Sequence, residues 1–218
     1  MNKLTVVVAI AFMGLLGAAD AEAASETWNF NVPTGGNIGS THTYLSTPDG
    51  IGIDLAAFLN GTGTTGFLYG KNDGGDENGV GVCNTLSGAS GCNDHEIDVQ
   101  EYVRVNFGSL NLSNIQLKVG SVQSGENYNI YTSTTASAFA GGTPCVTGGT
   151  ADNVFFALSC GVGGVKQYVF VTAGSHDVLL EAIQATTPVP EPATMFLGGL
   201  GLIAFGYAAR RRLFGRQN

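Results

Sequence analysis

Residues 101–110 read "EYVRVNFGSL". Val103, Val105 and Phe107 fall on one side of an extended chain, and Tyr102, Arg104 and Asn106 fall on the other. Side chains alternate across a strand, so this pattern predicts a strand with one face in a core and one toward water. The strict apolar–polar alternation from Val103 to Phe107 fits a period of two rather than the 3.6 of a helix.

The same period of two extends outward. In "NIQLKVGS" (114–121), Ile115, Leu117 and Val119 point inward against Gln116 and Lys118. "NYNIYTS" (127–133), "KQYVFVTA" (166–173) and "HDVLLEAIQAT" (176–186) behave alike, and "TWNFNVP" (27–33) predicts a first strand. Clusters of Gly, Asn and Ser separate these β-branched and aromatic runs. The 33 glycines are scattered without a collagen-like repeat, which suits many turns. Only "IDLAAFLNG" (53–61) reads as a short helix. The expected fold for residues 24–188 is all-β, an antiparallel β-sandwich of jelly-roll-like kind.

The two ends differ from this middle. Met1, Asn2 and Lys3 precede an uncharged apolar run, Leu4 to Gly17, and then the small residues "AADAEAAS". A charged start, an apolar centre and Ala-x-Ala sites make residues 1–23 a secretory signal peptide cut after Ala23. At the other end, residues 193–209 carry no charge, and as a helix they would rise roughly 26 Å, slightly short of a bilayer's hydrocarbon core. Tyr207 and the snorkelling stems of Arg210, Arg211 and Arg212 make up the difference in a transmembrane helix. Positive residues favour the cytoplasm, so residues 213–218 form a cytoplasmic tail and everything before Pro190 lies outside.

Pro188, Pro190 and Pro192 form a stiff spacer ahead of that span. Pro190-Glu191-Pro192, an apolar span containing "GGLGL" and a terminal arginine cluster, in that order, resemble the PEP-CTERM sorting signal over residues 189–212. The resemblance implies an exported protein recognised by an exosortase, an integral-membrane cysteine protease-like enzyme. In this chain Pro190, Glu191 and Pro192 would be the recognition motif and Arg210, Arg211 and Arg212 the membrane-stop cluster. The precursor would sit in the inner membrane facing the periplasm. It would then be processed and passed to the cell surface or extracellular matrix of an exopolysaccharide-making bacterium. "NDHEID" (93–98) is similar to an "NEID"-type segment of such proteins' ectodomains and names no activity.

The chain carries a formal charge of −8, and residues 24–188 hold only Lys71, Arg104, Lys118 and Lys166 as basic residues. No basic patch is available to neutralise phosphates, which argues against nucleic acid as a partner. The four cysteines suit an oxidising compartment, and nearest-neighbour pairing, Cys83–Cys92 and Cys145–Cys160, is expected among three connectivities. The acidic loops around Cys83 supply Asp73, Asp76, Glu77, Asp94, Glu96 and Asp98. Calcium prefers six to eight oxygens on flexible loops, so these are the candidate ligands of a stabilising ion. Their spacing fails the EF-hand pattern, and a solvated acidic loop pair is the plainer reading.

Catalysis has little support in the residues. Ser175-His176-Asp177 tempts as a triad, but adjacent residues point different ways and a triad is spatial. Neither a Gly-x-Ser-x-Gly elbow nor a His-Glu-x-x-His pair occurs, and His42 and His95 read as surface histidines. Aromatics with amide and carboxylate neighbours do suit sugars, which makes Trp28, Tyr44, Tyr69, Tyr102, Tyr128, Tyr131 and Tyr168 candidates for stacking on exopolysaccharide. The expectation is a non-enzymatic surface or matrix protein, with a calcium-stabilised carbohydrate-binding module as the alternative.

Overall fold

The structure, a computed structural model, describes residues 23–31, 35–59, 63–75, 77–85, 95–136, 142–160 and 167–187, with Gly201 alone beyond them. The expected signal peptide (1–23, Ala23 aside) and transmembrane helix (193–209, Gly201 aside) lie outside these residues. Among the described residues no helix is long and apolar enough to cross a membrane.

The chain runs β1 (Ser25–Asn29), β2 (Gly36–Gly39), β3 (Thr41–Leu45), β4 (Gly52–Leu59), β5 (Thr64–Thr65), β6 (Phe67–Asn72), β7 (Asn78–Cys83) and β8 (Ile97–Asp98). It continues through β9 (Tyr102–Asn106), β10 (Ser113–Gly120), β11 (Asn127–Ser133), β12 (Thr143–Gly149), β13 (Phe155–Ala157), β14 (Tyr168–Ser175) and β15 (Asp177–Thr186). Two antiparallel sheets result. The first has the order β13-β10-β15-β7-β6-β2, with β1 and β8 also on β15; the second has β12-β11-β14-β9-β4-β3, with β5 on β4. The fold is all-β, as the alternation predicts.

Both sheets contribute to one core. Val80, Leu117, Val119, Leu180 and Ile183 come from the first, and Leu55, Val103, Val105, Ile130 and Val171 from the second. Burying a side chain of this size stabilises by about 1.5–3 kcal/mol before entropy is counted. Trp28 is fully buried against Phe107, and its indole N–H donates to the Ile51 carbonyl at 2.7 Å, so its polar handle is satisfied.

β15 is flanked on both sides, by β10 and by β1 or β7. Its inward residues are Val178 and Leu180, then Ile183 and Ala185. The parity changes because the register with β10 shifts between Lys118 and Val119, leaving Glu181 as the extra residue of a bulge. The Glu181 carbonyl accepts from Phe30 N, and its buried carboxylate meets Lys118 Nζ at 2.6 Å.

One expectation is corrected here. "IDLAAFL" is not a helix but β4, paired with β3 on one side and β9 on the other. Its apolar run from Leu55 to Leu59 looks continuous because Ala56 and Phe58 on the outer face are apolar too. Ile53, Leu55 and Ala57 enter the core, while Phe58 stacks on Tyr102 on the opposite face. Tyr102 is likewise not a solvated residue: it is 1% exposed, pressed between Phe58 and Phe170 on the outer side of the second sheet.

Candidate functional site

The outer face of the second sheet carries a groove of about 430 Å³, lined by Thr41, His42, Thr43, Asp54, Arg104 and Asn106 among others. Strand register assembles it. Thr43 lies opposite Asp54, Asp54 opposite Asn106, and Asn106 opposite Tyr168; one row along, Thr41 faces Ala56 and Ala56 faces Arg104. The intervening residues Leu55, Val103 and Val105 point into the core, so the polar set faces outward.

Arg104 is the most constrained member. Its guanidinium lies 4.9 Å from the Phe58 ring centroid and 5.5 Å from that of Tyr168, a cation held by two ring faces. One terminal nitrogen donates to the Ala136 carbonyl at 3.0 Å, and the buried Nε meets no acceptor among the described residues. Asn106 Oδ1 accepts from Gly108 N at 2.9 Å and from Gln167 Nε2 at 3.0 Å, which turns the Asn106 amide nitrogen away as a donor. Thr43 Oγ1 donates to Asp54 Oδ1 at 2.6 Å, leaving Oδ2 to accept from another group.

The acidic residues form a different arrangement. Glu77 Oε2 lies 2.6 Å from Lys71 Nζ, and Glu96 holds the same ammonium on its other side. Ser121 Oγ donates to Glu96 Oε1 at 2.9 Å, and Asp177 adds a side-chain hydrogen bond. Burial pushes the Glu96 carboxyl up to about 7, and the Asp177 bond adds to the rise while Lys71 and Ser121 oppose it. Burial alone would lower Lys71, but its bonds to Glu77 and Glu96 outweigh that and raise it. Two of the six proposed calcium ligands thus already engage a lysine. Asp73 and Asp98 are exposed, and Asp76 and Asp94 lie outside the described residues. Among the described residues no group of three or more His, Cys, Asp or Glu is arranged to hold a metal ion.

The triad on paper is not assembled. Ser175 Oγ donates to the Gly125 carbonyl and accepts from Asn127, Asp177 bonds Glu96, and His176 is an exposed turn residue with φ of 54°. His42 meets Tyr44 edge to face, and His95 stacks on Tyr69 at 3.9 Å. Cys145 and Cys160 form a disulfide. Cys83 is also disulfide-bonded; its expected partner, Cys92, lies outside the described residues. Of the aromatic candidates, Trp28, Tyr102 and Tyr128 are buried, whereas Tyr44, Tyr69, Tyr131 and Tyr168 remain partly exposed.

Sequence reasoning passed over Arg104, Asp54 and Asn106 as a set. A legible signal existed: Arg104 is a cation facing outward from a strand of a strongly acidic domain. What was not legible is that β3, β4 and β9 lie side by side.

Beyond the last strand, residues 188–212 match the family model of the PEP-CTERM protein-sorting motif. The chain therefore carries a PEP-CTERM sorting signal, and Pro190, Glu191, Pro192 and Arg210 to Arg212 all fall within it. No curated protein and no solved structure matches the chain.

Proposed function

We propose that this protein is a non-enzymatic component of the cell surface or extracellular matrix, its β-domain delivered as the passenger of an exosortase-dependent sorting tail. The match at residues 188–212 carries the reading, because it begins just after β15 ends at Thr186. Pro188, Pro190 and Pro192 lack backbone donors, so the stretch that an exosortase would read is a poor candidate for an added strand of the preceding sheets. The test is to replace Pro190, Glu191 and Pro192 with alanine in the native host. The expected result is intact export with full-length protein held in the inner membrane. Release indistinguishable from the unaltered chain would reduce the motif to a linker.

A second reading of the domain itself is favoured by the outer groove: saccharide binding. A half-exposed tyrosine beside amide, carboxylate and guanidinium groups supplies the stacking surface and hydrogen bonds that sugars require. A polysaccharide pull-down with and without chelator tests it. Binding that disappears on chelation would assign a role to calcium as well.

A further inference from the structure

We propose that the groove on the outer face of the second sheet takes an acidic saccharide, with Arg104 receiving the sugar's carboxylate. The inference rests on the saccharide reading and adds the charge of the ligand. Its starting point is how the cations are used. The basic side chains among the described residues are Lys71, Arg104 and Lys118. Lys71 is committed to Glu77 and Glu96, and Lys118 to Glu181. Arg104 meets no carboxylate among the described residues, although Asp54 stands on the neighbouring strand one row away.

On a domain so rich in acid, a guanidinium that meets no carboxylate among the described residues is a specific feature. Phe58 and Tyr168 cover its faces and the Ala136 carbonyl fixes one end, so its orientation is set before any ligand arrives. Preorganisation of this kind lowers the entropic cost of binding, and a planar guanidinium suits a carboxylate better than an ammonium does. The Asn106 amide nitrogen is a second donor on the same wall, since its oxygen is already occupied twice.

The groove thus presents two donors for a carboxylate and one carboxylate oxygen of Asp54 for a sugar hydroxyl, with Tyr168 beside it holding the Arg104 guanidinium. A neutral sugar would leave Arg104 as it stands. A uronate would supply the anion that the protein withholds.

Isothermal titration of the full-length protein in mild detergent tests this. The probes are oligogalacturonate and hyaluronan oligosaccharides, each against its methyl ester, with dextran oligomers as the neutral control. The acids are expected to bind, and methyl esterification to weaken binding roughly tenfold or more, as expected for loss of a charge-assisted hydrogen bond. Arg104→Gln should bring the acid down to the affinity of its ester. Asp54→Asn should weaken acid and ester alike and leave their ratio unchanged. If Arg104→Gln does not fold, the comparison of acid with ester on the unaltered chain still decides. Equal binding of acid, ester and dextran would overturn the acidic assignment while leaving the saccharide reading in place. Absence of heat with every oligomer would overturn both.

Discussion

Lys71 of β6 ends against the buried carboxylate of Glu96, the residue that immediately precedes β8. One ammonium there serves Glu77 as well, and Asp177 bonds Glu96 from β15. Three carboxyls and a single ammonium share the site, so the cheapest charge state keeps a proton on Glu96.

This arrangement makes stability fall as pH rises. The folded Glu96 holds its proton up to about 7, against an ordinary value of 4.5. Its stabilising contribution is therefore complete below about 4.5 and lost as pH climbs through about 7. Glu96→Gln mimics the protonated form. Urea melts at pH 5 and pH 8 should show the variant gaining on the unaltered protein at the higher pH. A constant difference across that range would contradict the assignment.

Gly81 answers a steric demand beside the same site. A Cβ at this position would lie 2.1 Å from the His95 carbonyl oxygen and 2.6 Å from Glu96 Cα. Both are backbone atoms, so no side-chain rotation relieves the clash. Gly81→Ala is expected to cost about 2–3 kcal/mol, read as a lowered urea midpoint. An unchanged midpoint would mean that β7 and residues 95–96 separate without loss.

The Cys145–Cys160 bridge ties β12, an edge strand, to the segment following β13 across a sequence separation of 15. Replacing both cysteines with serine should remove about 3 kcal/mol, chiefly by freeing the unfolded chain. Thermal melting of the double variant checks this, and the loss should vanish when both proteins are compared under reduction.

Chelation is expected to leave the melting temperature where it is. Glu77 and Glu96 already share Lys71, which leaves fewer carboxylates for an ion. A melt with EDTA that drops by several degrees would instead place calcium on the remaining acidic residues.

The strands β9, β10 and β11 were legible because each turns one apolar face inward and separates those residues by polar ones, while β14 and β15 were legible as β-branched and aliphatic runs even though Phe170 and Leu179 interrupt the alternation. β4 was misread because Ala56 and Phe58, the latter stacked on Tyr102, make the second half of its outer face apolar as well, which breaks the alternation begun at Asp54. β2, β7 and β12 each carry two glycines, so composition hid them. The bulge at Glu181 and the bond from Lys71 to Glu96, twenty-five residues apart, depend on register, which no local pattern encodes. The sorting motif was legible because it is a linear order of residues, and the family match at 188–212 covers it.

The intact mass of protein collected from the host's surface or medium decides between delivery by a removable tail and simple membrane anchorage. The expected species begins at Ala24, retains both disulfides and lacks the arginine cluster at 210–212. A mass that still includes Arg212 would contradict processing of the tail, and a reduced protein recovered from the cytosol would contradict export itself.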